Sequence, residues 1–232
     1  MRLPAIVAKC ERLGMEKIGI TDHLNRLEQL PIHHQIKAEL AQLETSLTVY
    51  FGVELNFTGP DQSFAYSEEV QAELGYQFAI GGIHSAYGTE QDQQKCLALQ
   101  HRHHLKVMED PLCHVLVHPY WFGHSEFEKM VWFKDMSVIP SSWIQELAAA
   151  SAETGTAIEI NGCAFFHNPH YSKHWKESYI EYLQVLAAAG AIFSLGSDAH
   201  SINELSVIQT VRAVADEIGL IPERIWQPDW IL

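Results

Sequence analysis

The chain has 232 residues, of which 47% are hydrophobic, enough for one sizeable domain with a packed core. Its net charge is −14, with 15 Lys and Arg against 29 Asp and Glu. A chain this acidic is a poor partner for nucleic acid or an anionic membrane, although a local basic pocket would still accept a small phosphorylated molecule. It has no apolar stretch of membrane-spanning length, no signal-peptide pattern and only four scattered cysteines. We therefore expect a cytoplasmic protein with free thiols.

Predicted helices and strands alternate from the first residues. The chain opens in a helix that Gly14 ends, and the first strand follows. Gly75, Gly155 and Gly190 end later helices in the same way, each directly before a strand. This alternation predicts one domain over 1–232 with a mainly parallel sheet and helical crossovers. Six strands are predicted, over residues 17–21, 48–54, 77–83, 114–118, 156–160 and 191–196.

Three sequence signals mark the beginnings of helices. Ser67 precedes two glutamates, which suit the positive end of a helix. The spacings Ser142-x-x-Gln145 and Ser201-x-x-Glu204 fit a capping box.

Each predicted strand runs into a histidine or a carboxylate. These polar ends lie 30 to 41 residues apart, about one strand-plus-helix unit, at His23, Glu54, His84, His118, Glu159 and Asp198 with His200. In barrel enzymes the chemistry sits at the carboxyl ends of the strands. Mixed imidazole and carboxylate ligands suit zinc, manganese or iron, whereas calcium prefers oxygen alone. A carboxylate has two oxygens and can bridge two metals, so one glutamate among several histidines points to a site with more than one divalent ion.

Two connections are long and rich in aromatic residues, 119–140 and 161–176. They are expected either to form lids and substrate walls or to pack over the barrel mouth, and the sequence leaves both open. His167 in the second connection is a candidate substrate contact. The histidines at 33–34, 101, 103 and 104 lie in polar stretches and are expected to be solvated.

Five of the motifs together resemble the PHP family, named for polymerase and histidinol phosphatase. They are TDH at 21–23, GVEL at 52–55, GGIH at 81–84, HPYW from His118 and GSDAH at 196–200. The resemblance implies an α/β fold, a distorted seven-stranded TIM-like barrel with up to three metals in its mouth. It also implies that Glu54 bridges two metals and that His84 and His118 complete the second. Asp198 would belong to the first metal, and His23 and His200 to the third.

The chain departs from the family pattern at its start. The family begins with a strand that carries an H-x-H motif, whereas this chain begins in the following helix, so six strands are expected. Either the reading frame is truncated, which we favour, or the domain folds without that strand. Only the second metal keeps its full ligand set, so one well-held ion is expected. The uncovered barrel edge could also pair with a second copy, giving a homo-oligomer.

The resemblance implies a metal-dependent phosphoesterase acting on a small phosphorylated molecule, similar to histidinol phosphatase. Asp198 or His200 would transfer a proton, and Arg26 and Asn161 would contact the substrate. Two alternatives stay open at this point. One is a domain that no longer catalyses and serves as a binding or structural module. The other is a metal hydrolase of a C–N or C–O ester bond.

Overall fold

Strands and helices alternate through residues 1–61 and 63–228, the part of the chain that the computed structural model describes. Six strands correspond to the six predicted ones: β1 Lys17–Ile20, β2 Thr48–Asn56, β3 Phe78–Gly82, β4 Val115–Leu116, β5 Ala157–Asn161 and β6 Phe193–Gly196. The α-helices are α1 Leu3–Arg12, α2 Leu30–Leu40, α3 Glu68–Leu74, α4 Gln93–Glu109, α5 His124–Phe127, α6 Ser141–Thr154, α7 Lys173–Ala188 and α8 Ile208–Glu217. Gln62 and residues 229–232 of the predicted domain lie outside the described residues.

The sheet has the order β1-β2-β3-β4-β5-β6, and every neighbouring pair is parallel. It curls into a half-barrel, which matches a distorted TIM barrel with six strands. Among the described residues no ladder joins β1 to β6, so the barrel is open on that side. All six carboxyl ends therefore meet at one rim, as the strand-end pattern predicts.

Residues 225–227 bridge the open side at the amino-terminal end of the barrel. The Trp226 backbone N–H donates to the carbonyl of Phe193, the first residue of β6, at 2.7 Å. Lys17, the first residue of β1, donates from Nζ to Gln227 Oε1 at 2.9 Å. The Trp226 ring lies 5.9 Å from the Phe78 ring inside the barrel. This segment thus fills the bottom of the barrel and leaves the rim open.

Most of the local signals act as the sequence predicts. Ser67 accepts a hydrogen bond from the Val70 N–H, and Gly75 and Gly155 end their helices with φ of +67° and +80°. The capping box predicted at Ser142 is wrong, because α6 begins at Ser141 directly after Pro140 and uses no side-chain cap. Glu204 does accept the N–H groups of His200 and Ser201, each at 2.8 Å.

Most of the histidines that the sequence predicts to be solvated are buried, so that prediction is wrong for them. His33, His103 and His104 have no exposed surface, and His101 is 6% exposed, whereas His34 is exposed. Their rings pack as flat aromatic groups, with His104 edge-on to Tyr120 at 4.5 Å. Burial lowers the pKa of His103 and His104, which favours the neutral imidazole in both.

Aromatic side chains of the two long connections, 119–140 and 161–176, pack against one another. This supports the alternative in which they pack over the barrel mouth. Phe133, Tyr171 and Trp175 are at most 4% exposed, and the Tyr171 and Trp175 rings stack at 3.9 Å. The four cysteines are free, in agreement with the sequence. No helix in the described ranges is long and apolar enough to cross a membrane.

Gly52 tests how tightly the barrel interior is filled. A Cβ at this position would lie 2.4 Å from Cζ of Phe78. We expect Gly52→Ala to lower the free energy of unfolding by about 1–3 kcal/mol, because the ring has no room to move. The double variant with Phe78→Leu should recover part of the loss, as measured by chemical denaturation. Gly123→Ala is the matched control, since nothing lies within 4 Å of its added Cβ. Equal stabilities of the Gly52 and Gly123 variants would contradict this packing.

Candidate metal centre

Backbone pairing beyond the end of β1 brings His23 beside Glu54. The two residues form a parallel bridge, with the Leu24 N–H on the Glu54 carbonyl at 2.8 Å and the Glu54 N–H on the Asp22 carbonyl at 2.9 Å. Buried His33 adds a further constraint, because its Nε2 donates to the His23 carbonyl at 3.0 Å. Sequence reasoning placed His33 in solvent, yet it fixes the backbone that carries the first predicted ligand.

Three imidazoles surround one oxygen of Glu54. The distances from Glu54 Oε1 are 3.0 Å to His84 Nε2, 3.7 Å to His23 Nδ1 and 3.8 Å to His118 Nε2. The ligand atoms of His23, Glu54 and His84 all lie within 4.8 Å of one another. We call His23, Glu54, His84 and His118 the ligand cluster. His23 is thus next to Glu54, although the resemblance pairs it with His200.

The donor set of the ligand cluster fits a divalent transition metal. Imidazole nitrogens and a carboxylate oxygen are ligands that zinc, manganese and iron accept. The Nε2 atoms of His84 and His118 lie 3.1 Å apart, and the Nδ1 atoms of both rings are buried without a partner within the described ranges. Two neutral imidazoles so close together can share only one proton, whereas a cation would take the lone pairs of both.

The electrostatics at Glu54 and His84 favour the protonation states that metal ligation needs. Burial alone would raise the pKa of Glu54, but its contact with His118 and its hydrogen bond with His84 hold it below its usual value. Burial, with the neighbouring His118, lowers the pKa of His84 to about 4. Glu54 is therefore ionised and His84 neutral at pH 7. Burial opposes protonation of His118 too, yet its contact with Glu54 raises its pKa.

Glu159 and Asn161, at the end of β5, hold the backbone and side chains around the cluster. Glu159 Oε2 accepts from the His118 N–H at 3.0 Å and from Asn161 Nδ2 at 2.9 Å. Asn161 Nδ2 also donates to Asp198 Oδ2 at 3.2 Å, and its Oδ1 accepts the Ala164 N–H. His118 and Asp198 have φ of +30° and +50°, conformations that L-residues rarely adopt. Both strained residues are thus tied to β5.

The other predicted site residues lie at different depths. Asp198 is hydrogen-bonded to Asn161, and the His200 side chain is 76% exposed with Nδ1 3.1 Å from the Asp198 carbonyl. Asn161 is buried with its amide engaged by protein groups, so its predicted contact with substrate stays a prediction. His167 is exposed at the end of the π-helical turn Gly162–Phe166, and its role also stays a prediction.

Two positioning residues were missed by sequence reasoning. Glu126 accepts from Ser85 Oγ at 2.7 Å and from the Ala86 N–H at 3.1 Å, directly after His84. The Gln29 side-chain oxygen accepts the N–H groups of Asn25 and Arg26 at 2.7 and 3.0 Å. Neither residue follows a strand, so the pattern of strand ends contains no signal for them.

A cavity of about 390 Å³ adjoins the ligand cluster on the β1–β3 side. His84 and Arg26 both line it, together with the polar side chains of Asn25, Asn56, Thr58 and Ser85. Asn56 lies two residues after Glu54 on β2, so both side chains project from the same face of the strand. The predicted substrate contact Arg26 therefore shares one cavity with a predicted metal ligand.

The chain belongs to the PHP domain family, whose family model matches residues 1–163. It is 24% identical to a "Probable phosphatase" of Syntrophotalea carbinolica over 226 residues, which cover 95% of this chain and 82% of the relative. It is 23% identical to the "Probable phosphatase YcdX" of Escherichia coli K12 over 221 residues, 94% of this chain and 80% of that one. The resemblance drawn from the motifs is confirmed.

A solved structure supports the fold independently. The chain resembles the protein from Listeria monocytogenes provisionally named histidinol phosphatase hisK, with a TM-score of 0.62. The two share 13% sequence identity over 88% of this chain and 90% of the other. The likeness establishes a common architecture.

Glu159 makes the stability of the metal-free chain depend on pH. Burial, joined by the charge of Asp198, raises the pKa of Glu159 to about 7, against about 4.3 in an unfolded chain. Its stabilising contribution is full below pH of about 4.3 and is lost as the pH rises through about 7. We expect Glu159→Gln to reduce the loss of stability between pH 5 and 8 by about 1–3 kcal/mol, measured by denaturation with a chelator present.

The matched control for this measurement is Glu153→Gln, on the exposed face of α6. It should follow the pH dependence of the unaltered chain. Parallel stability profiles for the unaltered chain and Glu159→Gln would contradict the assignment of this pH dependence to Glu159.

Proposed function

We propose that this protein is a metal-dependent phosphoesterase that acts on a small phosphorylated molecule. The observation that carries the proposal is the convergence of three imidazoles on the partly buried Glu54 carboxylate, beside a cavity lined by Arg26. Membership of the PHP family and two relatives named as probable phosphatases support the same reaction class. The cytoplasmic location and the oligomeric state stay predictions.

The residues of the site have different proposed roles, according to where they lie. His23, Glu54, His84 and His118 would hold the metal, which when bound supplies Lewis acidity and lowers the pKa of water. Glu159 and Asn161 keep His118 and Asp198 in their strained conformations. Asp198 and His200 are proposed to move a proton at the open rim or to ligate a further ion. Burial raises the pKa of Asp198 above its usual value.

We expect the purified chain to hold one divalent ion tightly, on the ligand cluster. Glu54→Gln should lower the metal affinity at least about 100-fold, because the amide has no charge to offset the cation. Elemental analysis after dialysis, with zinc and manganese compared, measures the bound ion. His34→Ala is the control, since that imidazole is exposed and pairs with Glu73 at 2.9 Å. Three tightly held ions per chain would contradict the expectation of one complete site.

Phosphoesterase activity is tested with a panel of phosphate mono- and diesters in manganese or zinc. We expect hydrolysis of at least one monoester, lost on chelation and lowered at least about 10²-fold in kcat/KM by Glu54→Gln. His34→Ala should retain full activity. If the chain hydrolyses carboxylic esters or amides but none of the phosphate esters, the result would favour a metal hydrolase of a C–N or C–O ester bond. Metal binding without any hydrolysis would favour a binding module.

A further inference from the structure

We propose that the cavity beside His84 binds a second anionic group on the alcohol portion of the phosphoester. The group is a carboxylate or a second phosphate, held by Arg26. This proposal narrows the substrate class of the proposed function, and it rests on that function for the hydrolysis of the phosphoester. Water displaces the alcohol from phosphorus, the P–O bond breaks, and the products are inorganic phosphate and an alcohol that still carries its anionic group.

The charge of the cavity points to an anion. The chain has about two acidic residues for every basic one. The residues that line the cavity nevertheless include Arg26 and no aspartate or glutamate. A guanidinium offers paired N–H donors that fit a carboxylate or a phosphate in a bidentate manner. A cavity with this lining attracts anions and repels an alcohol portion that carries an amine.

The segment that carries Arg26 is fixed from both sides. Two residues earlier, Leu24 is fully buried, and its N–H bonds to the Glu54 carbonyl. Gln29 then holds the N–H groups of Asn25 and Arg26 through one side-chain oxygen. The backbone beneath the guanidinium is thus tied to the same strand that carries the central carboxylate. A ligand at Arg26 would bind without first ordering a loop, which favours affinity.

Two side-chain amides offer the hydrogen bonds that orient such a ligand. The side-chain oxygens of Asn25 and Asn56 are buried and have no hydrogen-bond partner within residues 1–61 and 63–228. Because the oxygen and nitrogen of an amide can exchange places, each side chain can present a donor or an acceptor to the cavity. Hydroxyl groups on the alcohol portion would match them.

The opposite wall of the cavity is rigid. The Tyr87 hydroxyl donates to the Phe57 carbonyl, and Ser85 Oγ donates to Glu126. The Tyr87 hydroxyl hydrogen is thus engaged within the protein, and so is the Ser85 hydroxyl hydrogen. Arg26 and the amides of Asn25 and Asn56 are the groups that we propose to recognise the ligand. His84 lines the same cavity, so a single small molecule would reach both the ligand cluster and Arg26.

The test compares esters that differ in the charge of the alcohol portion. The alcohol portion of 3-phosphoglycerate carries a carboxylate, and that of O-phosphoethanolamine carries an amine. The alcohol portion of glycerol 3-phosphate is uncharged. With manganese present we expect kcat/KM to fall from 3-phosphoglycerate to glycerol 3-phosphate to O-phosphoethanolamine, by about tenfold or more between the first two. Fructose 1,6-bisphosphate against fructose 6-phosphate tests a second phosphate in place of the carboxylate. Equal kcat/KM for the anionic and neutral esters in both comparisons would overturn the proposal.

Variants assign the preference to Arg26. Arg26→Gln should raise KM for the preferred anionic ester about 30-fold, and should raise KM for glycerol 3-phosphate by a much smaller factor. Arg26→Lys should recover part of the loss. Arg212→Gln, an exposed arginine on α8, is the matched control and should change nothing. A similar loss for all esters would place Arg26 on the transferred phosphoryl group instead, and would overturn the proposal.

Direct binding separates this proposal from the proposed function. If no ester is hydrolysed, titration calorimetry of the manganese-loaded chain with 3-phosphoglycerate and glycerol 3-phosphate still reports on the cavity. The proposal expects tighter binding of 3-phosphoglycerate that Arg26→Gln removes, while Glu54→Gln weakens both ligands through loss of the metal. Equal affinities for the two ligands, or a difference that survives Arg26→Gln, would overturn it.

Discussion

The contact between Glu54 and three imidazoles is the interaction on which this molecule is organised. The carboxylate is deep in the barrel mouth, with nitrogens of His84, His23 and His118 within 3.0 to 3.8 Å. A buried carboxylate without such partners would cost several kcal/mol. These residues are about 30 positions apart in the chain, and only the parallel register of neighbouring strands brings them to one point. The sheet and the candidate metal centre therefore depend on each other.

Backbone strain is concentrated around this contact. The non-glycine residues with positive φ in the described part of the chain all follow strand ends: Tyr87, His118, Tyr120 and Asp198. Such conformations cost on the order of 1–3 kcal/mol each and persist only where neighbouring groups hold them. Glu159 and Asn161 hold two of them from β5. These conformations lower the stability of the fold at the rim and set the directions of the side chains of these residues, as is common at functional sites.

The strand-end pattern predicts the fold and the approach of strand-end histidines to Glu54, because both follow from local regularities. Strands read as apolar runs that end in a polar residue, and parallel strands end at one rim. The groups that position the cluster follow no such rule. His33 lies on a helix that looks polar, and Glu126 lies in a long connection, so their contacts with the residues at 23 and 85–86 exist only in three dimensions. Neutral imidazoles add to the difficulty, because they can be buried like aromatic rings while appearing polar in a sequence.

The two sides of the rim differ in what they can recognise. After β4 and β5, aromatic side chains such as Phe133 and Trp175 pack against one another. After β1 to β3, the surface is polar and contains a guanidinium and two amides beside His84. An aromatic wall excludes water and supports the cluster from one side, whereas discrimination between small polar molecules needs hydrogen-bonding groups. Selection of the substrate is therefore expected on the β1–β3 side, where the same short segment carries both a candidate metal ligand, His23, and Arg26, which lines the cavity.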